Sequence, residues 1–445
     1  MMVASFSGMH ERFRSGELTP REALEGVIAS ITAREPQLKA FAFLDPDLSR
    51  AAADLSTQRY RAGRPLSVFD GCPVGIKDII ETKDMPTGNG NPAFAGRRTG
   101  RDAACVDALR RAGAIPFGKT VTTEFAIGFS GPTVNAHDPE RTPGGSSSGS
   151  AAVVGAGLLP VALGTQTQGS VLRPASFNGC IGFKPTLGAL PLGGVHPLSA
   201  SHDHLGVFAN DFDDLWGIAS LISDYGSPGF AGLQGAAARA PDGRRPKRLV
   251  RLHLSAWNEI EEAHRAILDR EFEILAAQGI EILDRTSDPA VQALEDVLDR
   301  DVAVSMDMVA WEMRFPFRGY VERHGDQIGE RIRNLLARAE ELRPEDYERS
   351  LAKQKAARTL VTETLARLDA DAFVLPAAAG PAPKGLINTG SRAHLVYWSW
   401  LGFPAISLPI MKADGMPWGL QVAGIAHEDA SLCALARWVL ENRAS

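Results

Sequence analysis

Hydrophobic residues change their rhythm along this chain. Near the N-terminus Ala23, Leu24, Val27, Ile28 and Ile31 recur at helical spacing behind Thr19 and Pro20. That pair suits a helix start, because proline at the first helical position gives up only an amide with no partner there. From Asp70 to Arg111 short apolar runs alternate with glycine and proline, which predicts buried strands of an α/β sheet. The run AAVVGAGLLPVALG predicts a helix and then a short strand, while GCIGF, AFVLPA and AISLPI predict further buried strands. After Ile222 the pattern breaks: residues 223–248 are rich in Gly, Ala, Pro and Arg and read as a loop or linker. Residues 261–369 then turn strongly helical, with Glu, Lys and Arg three or four apart on exposed faces. There is no internal repeat and no low-complexity tract.

Composition narrows the class. At 445 residues the chain can bury a large core as one α/β domain or as two or three smaller ones. Its net charge of −6, with no Lys/Arg block, argues against nucleic acid as a partner. No apolar run reaches the length of a membrane span, and the first residues lack the basic-then-apolar order of a secretory signal. Cys72, Cys105, Cys180 and Cys433 are scattered without a CxxC pair, so they read as small buried hydrophobes in a reducing compartment. A cytoplasmic protein that meets no membrane is expected.

Candidate chemistry concentrates between Arg141 and Gly188, where two Gly/Ser turns, PGGSSSGS and GTQTQGS, flank an apolar run. Glycines let backbone N–H groups approach a developing oxyanion, and serine among them suits nucleophilic attack. Lys77 stands upstream in GCPVGIKDII, at the polar end of a short apolar run. The histidines His137, His196, His202 and His204, with Asp203, could furnish a Ser–His–Asp triad, but no G-x-S-x-G elbow accompanies them. The HDH triplet lacks the further ligands of a metal site, and no Gly-Lys-Ser/Thr makes the first turn a phosphate loop.

In order, PVGIKD, GKTVTTEFAIG, PGGSSSGS, GTQTQGSVLRP, GFKPTLG, LGFPAISLP and PWGLQVAG resemble the amidase signature family, covering about Asp70–Gly206 and Asp371 to the C-terminus. The resemblance implies a mixed β-sheet covered by helices on both faces, in the α/β class. It implies a first core segment at 1–222, a linker and helical insertion at 223–365 and a final core segment at 366–445. The insertion would form a pocket wall or a subunit interface, the latter giving a homodimer. By the same resemblance Ser170 is the acyl-forming nucleophile, Ser146 the bridging serine behind a cis Gly145–Ser146 peptide, and Lys77 the base. The backbone N–H groups of Thr167, Gln168, Gly169 and Ser170 would form the oxyanion hole. Ser147, Ser148 and Ser150 are expected to cap the following helix or bind turn backbone, and Asp78 to hold its local turn. The implied activity is hydrolysis of a small carboxamide, without metal or cofactor. Alternatives are the amidase subunit of a glutamine-dependent amidotransferase and a catalytically retired binding module.

The second turn departs from the common family form, GTDTGGS with an arginine two residues on. Here Gln166 and Gln168 replace Asp and Gly, Leu172 stands in place of that arginine, and Arg173 follows. This variant resembles a malonamidase-like branch, which implies that Arg173 binds a substrate carboxylate; Gly145 is likewise expected among the substrate-binding residues. A guanidinium fork suits that task.

Overall fold

The computed structural model describes residues 5–223, 233 and 239–442. Among these residues eleven strands form one mixed sheet. In chain order they are β1 Phe41–Leu44, β2 Pro73–Lys77, β3 Ile115–Thr120, β4 Val161–Gln166, β5 Ile181–Lys184, β6 His204–Ala209, β7 Arg248–Arg251, β8 Glu281–Leu283, β9 Ala372–Pro376, β10 Ala405–Ala413 and β11 Met416–Ala423. Across the sheet they run β1-β3-β2-β4-β6-β5-β10-β11-β9-β7-β8. β2 pairs in parallel with β3 and β4, and β7 in parallel with β8 and β9. The central pairs from β4 through β9 are antiparallel.

Side-chain alternation accounts for the layers. Val161 and Leu163 of β4, with Val207 and Ala209 of β6, join one apolar cluster with Leu215, Trp216, Ile218 and Ala219 of helix Phe212–Ser223. The intervening Ala162 and Phe208 join another, with Leu24 and Val27 of helix Pro20–Leu38 and Ala151–Val154 of helix Ser148–Gly155. A strand buried on both faces has no polar side, hence its continuous apolar reading. The N-terminal helix starts as expected: Thr19 accepts from Glu22 N–H, and Glu22 accepts from Thr19 N–H, a reciprocal cap.

Two expectations need correction. Between Asp70 and Arg111 only β2 is a regular strand; a loop follows, mostly buried as far as Asn91 and mostly exposed over 95–101, then helix Ala104–Arg111. Side chains replace a ladder in that loop, with the Asp78 carboxylate accepting from Gly88 N–H and Asp102 from Lys83 N–H. The region after the linker is also not purely helical, since β7 and β8 extend the common sheet beyond β9. Most of the linker, residues 224–232 and 234–238, lies outside the described residues. Among those described, no helix is long and apolar enough to cross a membrane. All four cysteines are buried and unpaired.

Candidate active site

Lys77 ends β2 and is fully buried. Its Nζ lies 2.8 Å from Ser146 Oγ, 2.7 Å from Thr165 Oγ1 and 3.4 Å from the Thr165 carbonyl. Burial drives the ammonium well below its ordinary pKa, against a smaller opposing pull from Asp203. A neutral amine between two hydroxyls can accept a proton. Asp78 instead lies 3.1 Å from Lys119 Nζ and binds Gly88 N–H, so it fastens the strand end and its turn.

The first turn meets the second over β4. The Gly145–Ser146 peptide is cis. Ser147 Oγ donates to the Thr165 carbonyl and accepts from Thr165 N–H, while Ser148 and Ser150 donate to the Val121 and Leu163 carbonyls. Ser147, at the N-cap position, makes no side-chain cap; these hydroxyls stitch the helix start to neighbouring backbone, one of the two roles expected of them.

In the second turn every polar side chain from Thr165 to Gln168 has a partner elsewhere. Gln166 Oε1 accepts from the N–H groups of Val171 (2.9 Å) and Leu172 (3.1 Å), and its Nε2 donates to Ser399. Thr167 donates to Asp203, and Gln168 Nε2 to Ser305. The backbone N–H groups of Thr167, Gln168, Gly169 and Ser170 have no acceptor among the described residues. Gly169 has φ 131°, and a Cβ there would come within 2.9 Å of Leu395, so this turn needs glycine. Ser146, Thr167, Gln168, Ser170 and Arg173 border one cavity of about 300 Å³.

Arg173 is buried and spends three of its N–H donors on the protein. It donates to the carbonyls of Gly390 (2.8 Å) and Gly145 (2.6 Å) and to Thr389 Oγ1 (2.9 Å). Its Nε is buried without a partner, and with the second hydrogen of Nη1 that leaves two of its five N–H groups unspent. Burial lowers it to about 9, with repulsion from Arg392 and Arg331 adding to the effect, so it remains a cation at neutral pH. The Gly145 carbonyl is therefore engaged by Arg173.

None of the histidines contacts either catalytic-candidate serine. His202 lies 3.0 Å from Ser199 Oγ and 3.0 Å from Ser305 Oγ, and burial lowers it to about 4. His204 Nδ1 lies 2.6 Å from the His202 carbonyl. Asp203 accepts from the N–H groups of Leu198 and Ser199 besides Thr167, with burial raising it to about 6. His137 and His196 bind the Asn178 carbonyl and Tyr320. The HDH triplet thus braces the wall of the second turn.

Local motifs did not reveal the residues that close the cavity. Val309 and Arg331 come from helices Val304–Glu312 and Glu330–Glu341, and Thr389 to Arg392 from the loop before helix Val396–Leu401. Glu312 fastens this wall to the 198–204 turn, accepting from Ser199 Oγ, Ser201 N–H, Ser201 Oγ and Tyr347 OH. Nothing short-range in the sequence marks these positions.

Comparison with known proteins agrees with this architecture. The family model described as Amidase matches residues 22–433. A glutamyl-tRNA(Gln) amidotransferase subunit of Chloroflexus aggregans is 30% identical, over 96% of this chain and 93% of its own. Mandelamide hydrolase of Pseudomonas putida is 28% identical, over 96% of this chain and 89% of its own. A solved amidase structure superposes with a TM-score of 0.87 at 28% identity, covering 99% of this chain and all of that one.

Proposed function

We infer from its site that this chain, which belongs to the Amidase family, hydrolyses a small carboxamide through a Ser170 acyl-enzyme. One observation carries the assignment: a buried, deprotonated-favouring Lys77 lies 2.8 Å from Ser146, on the same cavity as Ser170 and four unspent backbone N–H groups. Amides are poor electrophiles, so the reaction needs an activated nucleophile, an oxyanion site and an acid for the leaving amine. Ser170 Oγ attacks the carbonyl carbon as its proton passes to Ser146 and that of Ser146 to Lys77. The carbonyl π electrons move onto oxygen, which the turn's N–H groups receive. Collapse breaks the C–N bond, the relay returns its proton to the leaving nitrogen, and ammonia or an amine departs. Water then adds to the ester by the same path and releases the acid and Ser170.

Ammonia release across a panel of amides, with Ser170→Ala as control, tests this reading. Turnover that requires Ser170, with acyl trapping on that residue, supports it. No release from any amide or ester and no trapping at Ser170 would refute it and favour the retired binding module.

The relative of Chloroflexus aggregans gives the amidotransferase-subunit reading its own support. Glutamine carries an α-ammonium, however, and no Asp or Glu lines the cavity among the described residues. Glutamine-only activity or copurified partner subunits would favour that reading. We take the helical insertion as a pocket wall because Val309 and Arg331 border the cavity; a homodimer through its outer face would show as twice the chain mass in sedimentation. A reducing, cytoplasmic setting accords with four free thiols.

A further inference from the structure

Three guanidinium groups border the candidate cavity: Arg173, Arg331 and Arg392. No acidic side chain lines it, and none of the three forms an ion pair among the described residues. Glu124 lies beneath the start of helix Glu330–Glu341: its Oε1 accepts from Asn91 Nδ2 at 2.7 Å and from Gly329 N–H at 2.8 Å, its Oε2 is buried without a hydrogen-bond partner, and it forms no ion pair with Arg331 among the described residues. Like charges facing one cavity repel, and a chain of net charge −6 does not gather them there for want of acids elsewhere. Such a cluster is completed by an anion.

The three arginines are not equivalent. Arg173 is buried and gives most of its donors to the Gly145 and Gly390 carbonyls and Thr389. Arg331 is exposed and Arg392 half-buried, and neither guanidinium donates to any protein acceptor among the described residues. Their forks are free to bind a planar carboxylate in two-point fashion.

Resting on the amidase reading above, we propose that Arg331 and Arg392 form an anion subsite at the cavity mouth, making acidic amides the substrates. The carboxylate of such an amide sits on these two forks while its carboxamide reaches Ser170. Arg173 is a positioning residue: it ties the Gly145–Ser146 turn to the 389–390 loop and adds positive potential from below. The cavity volume of about 300 Å³ matches a short chain, such as a four- or five-carbon monoamide.

The test compares succinamate with butanamide, which have the same acyl length and differ in the carboxylate. Binding is measured by calorimetry on Ser170→Ala, and kcat/KM on the active enzyme. Succinamate is expected to bind at least about tenfold tighter than butanamide at low salt, and the advantage to shrink as salt screens it. Arg331→Gln and Arg392→Gln should each cut the succinamate-to-butanamide ratio by about tenfold. Equal binding of the two amides, or variants that leave the ratio unchanged, would overturn the subsite. Should no amide turn over while succinamate still binds through these arginines, the amidase reading falls and the subsite stands. Turnover without acid preference would leave the amidase reading standing and remove the subsite.

Discussion

Replacing Gln166 by leucine should unfasten the second Gly/Ser turn, which carries Ser170. The Gln166 side chain is fully buried, and its Oε1 alone accepts from Val171 and Leu172 N–H, the two amides that follow Ser170. Leucine keeps the volume but leaves both donors buried without an acceptor, at about 1–3 kcal/mol each. The apolar side chain recovers about 1–2 kcal/mol by escaping amide desolvation. At mid-range, about 4 kcal/mol lost and about 1.5 recovered, the expected net loss is about 2.5 kcal/mol, a sizeable fraction of a stability of about 5–15 kcal/mol. Activity should fall further than stability, because both amides are anchored next to Ser170, the proposed nucleophile, and a shift of about 1 Å costs about a hundredfold in rate.

Gln166→Glu separates these effects. It keeps an acceptor for both amides, and the Ser399 hydroxyl can rotate to donate to it instead of accepting. It is expected to retain most of kcat/KM where the leucine variant does not. Urea unfolding gives the stabilities and ammonia release the rates. If Gln166→Leu were within about 0.5 kcal/mol of the parent in stability and within about threefold in rate, the anchoring argument would be wrong. Equal damage by glutamate and leucine would show that the acceptor is not what matters.

Three further outcomes are expected. Lys77→Met should abolish turnover. Folding depresses the Lys77 pKa, so between that value and about 10.4 the unfolded chain holds a proton that the folded one does not; stability must rise with pH across this window, and the variant should lose that part of the slope in pH-dependent urea titrations. Activity of the parent should decline as acidification charges Lys77, and full activity well below neutral pH would count against a base role. For Glu312, burial raises the carboxyl pKa but hydrogen bonds from Ser199, Ser201 and Tyr347 outweigh it and hold it below the ordinary value. Its stabilisation is therefore present above about pH 4.5 and fades below, so Glu312→Ala should cost about 2–4 kcal/mol at neutral pH and progressively less in acid, as followed by thermal melts. Arg173→Met should lower kcat for acidic and neutral amides together, whereas a selective loss of the acidic amide in steady-state kinetics would return the carboxylate to Arg173.

Much of the core was readable because its signals are local. Thr19, Pro20 and Glu22 sit within four positions and cap one helix. The runs holding β4, β5, β9 and β10 are apolar on both faces, as strands inside a covered sheet must be. The stretch from Ile79 to Ala103 misled because buried loop and buried strand share a vocabulary of small apolar residues, glycine and proline; what tells them apart is where backbone N–H groups find acceptors, and side chains such as Asp78 supply these. β7, Arg-Leu-Val-Arg, and β8, Glu-Ile-Leu, each hold only two apolar residues beside charged ones, too few to mark a buried run. Their place in the sheet depends on parallel pairing of Leu249 with Ala372, a partner more than a hundred positions away.

The same contrast separates chemistry from selectivity at the site. Around the second turn, Gln166, Thr167 and Gln168 are occupied by Val171, Leu172, Asp203 and Ser305, so their side chains hold shape and leave the backbone N–H groups without an acceptor among the described residues, as the proposed oxyanion role requires. That arrangement depends on a short stretch of chain and is written compactly. The residues that border the rest of the cavity come from helix Val304–Glu312, from the start of helix Glu330–Glu341 and from Thr389–Arg392, three segments brought together only by the fold. Arginines at such places look in sequence like any solvated helix or loop charge; the proposed subsite rests on their shared cavity and missing counter-charge, which only the fold displays. Departures inside GTQTQGSVLRP therefore say more about how the turn is braced than about what it accepts. A change of substrate should be sought by exchanging residues 328–331 and 389–392, with the braced turn left intact.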